Sequence, residues 1–140
     1  MSYATVLQKL TQDGFRQTRA RRRIIEILLS AKYPLTITEI LGKLKKDFQI
    51  SADKTTAYRE MAFLMDRQLA REVDFGDKKK RYESNIGKHH HHLICTNCGR
   101  VEDFELKQDL AGEEARIAKN KKFKVTDHSL EFFGLCANCQ

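Results

Sequence analysis

Apolar positions in the first half of the chain recur at helical spacing. Residues 3–12 suit a short first helix, which Gly14 ends. From Thr18 onward Ala20, Ile24, Ile27, Leu28 and Ala31 share one stripe and predict a second helix. Pro34, the sole proline, breaks the pattern. Thr36-Ile37-Thr38-Glu39 then has the form of a capping box, with the Thr36 hydroxyl capping the backbone and Glu39 reaching back. Ile37, Ile40, Leu41 and Leu44 follow at i, i+3, i+4 and i+7 and predict a third helix. Asp53 is placed to cap a fourth, whose buried side is Ala57, Met61, Leu64 and Met65, running on to Gln68 and Leu69.

The period then changes to two. Arg71-Glu72-Val73-Asp74-Phe75 alternates as a strand does, Gly76-Asp77-Lys78 supplies a turn, and Lys80-Arg81-Tyr82-Glu83 returns. Helices followed by a two-stranded hairpin are the order of a winged helix-turn-helix domain. Lys78-Lys79-Lys80-Arg81 would form the tip of its wing. Residues 84–88, with Gly87, read as a hinge. Beyond it, residues 93–94 and 101–104 suggest strands flanking a cysteine turn, and Leu106, Leu110, Ala111, Ala115 and Ile117 suggest a helix. Residues 123–126 and 130–133 suggest further strands. The fold class is α+β, in two domains of residues 1–84 and 85–140. The second is too short to bury a large core, so it needs a metal, a partner subunit, or both.

Charge separates the same two regions. Residues 1–85 hold 18 Lys+Arg against 11 Asp+Glu, a net of +7, whereas residues 86–140 hold 8 of each. A basic first domain attracts polyanions, with affinity from phosphate neutralisation and counterion release. No apolar run is long enough to span a bilayer, and no signal peptide is visible, so a cytoplasmic protein is expected.

Four cysteines form two pairs, Cys95-x-x-Cys98 and Cys136-x-x-Cys139. In a cytosolic chain this spacing points to zinc rather than to disulfides. Each turn presents two thiolates on one side of a tight loop, and two turns complete a tetrahedron. Structural zinc contributes on the order of 10 kcal/mol of apparent folding free energy. Just before the first pair stand four histidines, residues 89–92. In an extended segment, alternate side chains point to opposite faces. His90 and His92 therefore share one face and His89 and His91 the other, so one run can serve two metal sites. Glu83, Asp103 and His128 are candidate partners. Mixed imidazole and carboxylate donors suit iron, manganese, zinc or nickel.

The segment His89-His90-His91-His92-Leu93-Ile94-Cys95-Thr96-Asn97-Cys98-Gly99-Arg100-Val101 resembles the signature of the ferric uptake regulator family of bacterial metal regulators. His128-Ser129-Leu130, with Gly134-Leu135-Cys136-Ala137-Asn138-Cys139, resembles its C-terminal strand and second cysteine pair. Gly14-Phe15-Arg16-Gln17-Thr18-Arg19-Ala20-Arg21 and Thr55-Thr56-Ala57-Tyr58-Arg59 resemble the entries to its second helix and recognition helix. The resemblance implies a winged-helix domain joined to an α+β dimerisation domain with structural zinc at Cys95, Cys98, Cys136 and Cys139. It implies a homodimer on A/T-rich palindromic double-stranded DNA, repressing metal-uptake or stress genes. DNA contacts would come from Arg16, Arg21, Thr55, Thr56, Tyr58 and Arg59. A regulatory Fe2+, Mn2+ or Zn2+ would be held by Glu83, His90, His92 and Asp103, and a second site by His89, His91 and His128. A glutamate usually completes that second site; here Asp109 or Glu113 is expected to substitute.

Three departures matter. The position at which many members place a histidine, just before the third helix, falls at about Pro34 here, with all five histidines in the second domain; Ala20 replaces a usual proline; and no extra cysteine ligand is present. The last favours iron or manganese over zinc as the sensed ion, with peroxide sensing as a variant. Two rivals of other classes are a zinc hydrolase or deaminase and a metal-storage module without DNA specificity. The first lacks both His-Glu-x-x-His and a His-x-Glu with Pro-Cys-x-x-Cys.

Overall fold

The computed structural model describes residues 1–87 and 89–140. Lys88, the last residue of the expected hinge, lies outside the described residues. The chain divides into two compact units, Met1–Lys88 and His89–Gln140.

The first unit runs α1 (Tyr3–Gln12), α2 (Arg19–Ser30), β1 (Leu35–Thr36), α3 (Ile37–Phe48), α4 (Lys54–Asp66), β2 (Ala70–Asp74) and β3 (Lys80–Ser84). Each helix starts on a side-chain cap that satisfies an otherwise orphaned backbone N–H. Ser2 caps α1, Thr18 caps α2 and Asp53 caps α4. At α3 the capping box is complete: Glu39 N donates to the Thr36 hydroxyl (3.2 Å) and Thr36 N donates to Glu39 (2.7 Å). α3 ends at Gln49, whose left-handed backbone (φ 53°) closes the helix.

The three strands order as β1-β3-β2, all antiparallel, with Leu35 opposite Tyr82 and Val73 opposite Arg81. β1 was not foreseen. It is two residues long, and only its pairing to β3 makes it a strand. Val6, Ile24, Ile40, Leu44, Ala57, Met61, Leu64 and Tyr82 are buried in one core. Burying a Leu or Ile side chain contributes about 1.5–3 kcal/mol, so packing holds this unit.

The second unit contains β4 (His91–Cys95), β5 (Val101–Phe104), α5 (Ala111–Lys121) and β6 (Glu131–Gly134). Its sheet orders β5-β4-β6, with β5 antiparallel and β6 parallel to the central β4. His91 and His92 lie within β4 rather than before it. Residues 123–126, expected as a strand, show no strand pairing among the described residues. Their alternation suits a sheet, but Phe123 is 62% exposed and stands in water. α5 begins at Ala111, so Leu106 and Leu110, both expected in the helix, precede it, and it buries no residue.

Candidate metal centres and nucleic-acid face

The thiol cluster is built by two turns brought together by parallel pairing. β4 ends at Cys95, β6 ends beside it, and Cys95 faces Gly134 in register. Thr96 N donates to the Gly134 carbonyl at 2.8 Å, which aligns the two cysteine turns. The four sulfurs lie within 4.8 Å of one another. Cys98 Sγ and Cys136 Sγ are 3.8 Å apart. Zn–S bonds of about 2.3 Å in a tetrahedron put sulfurs roughly 3.8 Å apart, so the donor set fits zinc. The electrostatics agree. Cys95 is pulled down to about 6 by the backbone N–H groups of Cys98 and Cys136. Cys139 is pushed up to about 11: the Asn97 side chain lowers it, but Cys136, burial, Cys95 and Cys98 together outweigh that. A cluster that favours one thiolate and resists another is one that a cation completes.

The histidine run divides between the faces of β4. On one side, the His89 and His91 rings are 4.8 Å apart, and His128 joins them from the segment before β6. Their donor atoms lie within 4.8 Å of one another, with His89 Nε2 2.9 Å from His128 Nε2. Two imidazoles on one ion at about 2.1 Å sit roughly 3–3.4 Å apart, so a few tenths of an ångström admit the ion. Hydrogen bonds fix two of the rings. His91 Nδ1–H donates to the Leu130 carbonyl (3.1 Å), and His128 Nδ1–H donates to Glu114 Oε1 (2.6 Å). Each bond leaves Nε2 as the basic nitrogen of its ring, the arrangement that metal-bound histidines use.

Glu114 was missed. Asp109 accepts from the Ala111 backbone and Glu113 pairs with Arg116, so neither expected acid serves His128. One turn of α5 brings Glu114 to the site, a long-range placement that local spacing does not reveal.

On the other face, the His90 and His92 rings are 5.1 Å apart. Asp103 stands opposite His92 across β4 and β5, with Oδ1 3.9 Å from His92 Nε2. His92 is buried (1% exposed). Glu83 belongs to the first unit. It is buried on β3, where Arg71 Nε donates to Oε1 at 2.6 Å.

The expected DNA-contacting residues divide too. Asp53 accepts from Thr56 N at 2.7 Å, which holds its carboxyl below the usual range and starts α4. From that start α4 presents Thr55, Tyr58 and Arg59 to solvent, Tyr58 at 47% exposure. Thr56 is half-buried and Arg16 is exposed. Arg21 is not presented. Its guanidinium forks onto Glu60 and covers the Phe63 ring, so its side chain bridges α2 to α4 and is largely buried. At the hairpin tip Asp77 accepts both Arg81 Nη1 (2.8 Å) and Nη2 (2.7 Å), while Lys78 and Lys79 remain exposed.

Comparison with known proteins bears on these sites together. The sequence pattern of the ferric uptake regulator family matches residues 12–133. The chain belongs to the ferric uptake regulator family. It is a metal-sensing transcription regulator of that family. The peroxide-responsive repressor PerR of Staphylococcus aureus is 33% identical over 135 residues, 96% of this chain and 88% of that protein. The Vibrio cholerae ferric uptake regulator is 28% identical, with a TM-score of 0.70 over 92% of this chain and 98% of that one. The Helicobacter pylori ferric uptake regulator has the same fold at 20% identity, with a TM-score of 0.78 over 99% of this chain and 94% of that one. The family's mixed α+β architecture accounts for both units. In this member, one strand, β4, brings donors to three clusters: His91 to one, His92 to another and Cys95 to the third.

Proposed function

We propose that this chain is a homodimeric repressor that binds A/T-rich palindromic DNA when a divalent ion, iron or manganese, is held by His90, His92, Asp103 and Glu83. The observation that carries the reading is the division of one histidine run between two faces of β4. Zinc sits on the four thiolates as a structural ion, and imidazole with carboxylate makes a weaker, exchangeable site suited to sensing. Glu83, seven positions before His90, is the donor from the first unit. His89, His91 and His128 hold a further ion, with Glu114 orienting His128.

The roles of the units follow. The first, basic and with α4 exposed, reads DNA. The second joins copies through Phe104, Phe132 and Phe133, which are 41%, 41% and 52% exposed. Among the described residues no helix is long and apolar enough to cross a membrane, and we place the regulator in the cytoplasm.

Metal at the sensing site favours one arrangement of the DNA-reading units, and by linkage DNA raises metal affinity by the same factor. The test is DNA affinity measured before and after exchangeable metal is stripped, with zinc content held constant. We expect a loss of about 5- to 150-fold, which His90→Ala reproduces with metal present. Equal binding in both states refutes the sensor.

The similarity to PerR favours a second reading, in which peroxide ends DNA binding by the iron-loaded form. Its sign would be one added oxygen atom on a ligand histidine after peroxide treatment with iron but not manganese.

A further inference from the structure

α4 has three sides. Ala57, Met61 and Leu64 are buried in the core, whereas Thr55, Tyr58, Arg59 and Ala62 are exposed. Between these sides run Glu60, Phe63 and the C-cap Arg67, at i, i+3 and i+7. This flank faces the turn that precedes α2.

Four side chains stack there. Arg21 Nε donates to Glu60 Oε2 at 2.7 Å and Nη2 to Oε1 at 3.2 Å. The same guanidinium lies 3.7 Å from the centre of the Phe63 ring. Arg67 lies 3.8 Å from that ring and 4.0 Å from the ring of Phe15. Phe15 meets Phe63 edge-on, with centroids 5.3 Å apart. Planar guanidinium groups stack on aromatic faces and fork onto carboxylates, so this arrangement is specific to arginine.

The stack ends on the turn. Arg21 Nη1 donates to the Arg16 carbonyl at 2.6 Å. Gln17 Nε2 donates to the Phe15 carbonyl at 3.2 Å, and Phe15 N donates to the Leu10 carbonyl at 2.9 Å. Thr18 caps α2. Of residues 15–18, Arg16 alone is exposed. Its backbone is held while its side chain points to solvent.

We propose that Glu60, Phe63 and Arg67 are positioning residues for DNA recognition. Through Arg21 they fasten the Arg16 turn to α4, so that Arg16 and the exposed side of α4 meet the duplex as one rigid element. This rests on the DNA-reading role proposed above. An arginine on a loose turn pays its ordering entropy on binding; here the backbone part is already lost in folding.

The test uses full-length, zinc-containing protein loaded with Mn2+, and the duplex that wild type enriches from a random-sequence pool. Affinity is measured across a salt series, with thermal unfolding in parallel. Arg16→Ala should weaken binding about tenfold and flatten the log–log salt slope by about 0.9. Phe63→Leu, neutral and still apolar, should reproduce both effects although it leaves Arg16 in place. The double variant should bind no more weakly than Arg16→Ala. Glu60→Gln, which loosens the fork and keeps its shape, should move the slope the same way and decides the case if Phe63→Leu does not fold. A merely structural role lowers the melting temperature without changing the slope. The proposal fails if Arg16→Ala is silent, if Phe63→Leu keeps the wild-type slope, or if the two losses add. If wild type enriches no duplex, the DNA-reading role falls and takes this proposal with it; a silent Phe63→Leu on an enriched duplex removes the positioning role alone.

Discussion

The two units are stabilised by different means. The first closes over aliphatic side chains: Val6, Ile24, Ile40 and Leu44 are each fully buried. The second buries little of that kind. Among its described residues the most buried side chains are His91, His92, Cys95 and Ile94, and three of these four are metal-ligand types. α5 buries nothing. One unit thus carries its stability in its own packing, and the other has little aliphatic packing and offers clusters of metal-ligand side chains instead.

Removing the zinc proposed for the four thiols gives the largest test of this difference. A strong chelator, or Cys98→Ser, should unfold residues 89–140 and leave the first unit intact. Hydrogen exchange should then show lost protection at β4 to β6 while α2 to α4 stay protected. Equal loss in both units would erase the contrast.

Packing gives the next effect. Leu44→Ala, at a fully buried position, should cost about 2–5 kcal/mol in the first unit, whatever the protein concentration. Phe133→Ser should instead act through assembly. Its thermal midpoint should depend more steeply on concentration, and sedimentation should show a weaker dimer. A concentration-independent loss would mean that this phenylalanine packs only within its own chain.

The legibility of the sequence follows the same divide. Where structure is set locally, the residues announce it. Thr36 and Glu39 close their box, Asp53 caps α4, and the period-two rule separates the histidines by face. Where structure depends on distant partners, they do not. β1 exists only because β3 lies beside it. Residues 123–126 have the alternation of a strand but find no ladder among the described residues. Glu114 reaches His128 from 14 residues away, through the placement of α5. Arg21 has the composition of a DNA contact, yet Glu60, 39 residues on, engages it. The helices of the first unit were therefore readable, and the acid that engages His128 was not.

Smaller effects sharpen the contrast at single bonds. Glu114→Gln keeps the size of the side chain but weakens the hold on His128. It should lower metal affinity about 10- to 100-fold at that site, as loss of a ligand-orienting group does, and leave zinc content unchanged. Isothermal titration with Mn2+ measures this.

The smallest effect is that of pH on the α4 cap. The Thr56 backbone N–H holds the Asp53 carboxyl below its ordinary 3.8. Its stabilisation is complete above that value and is lost as pH falls through the lower, folded-state value. Helicity should therefore not respond to this group between pH 5 and 8 (a range set by about 3.9 for a free aspartate), and Asp53→Asn should remove the acid-range response. A cap-dependent change near neutrality would contradict the assignment.

β4 runs unbroken from His91 into Cys95, so the imidazoles and the thiolate anchor are counted along one ribbon. That makes the sorting of donors between the two faces a matter of parity. One residue inserted between Ile94 and Cys95 would keep every donor yet turn the histidines to the wrong sides of an anchored strand; two would restore their facing. Within this five-residue strand a replacement keeps the count, whereas any odd change in length would exchange one cluster's donors for the other's.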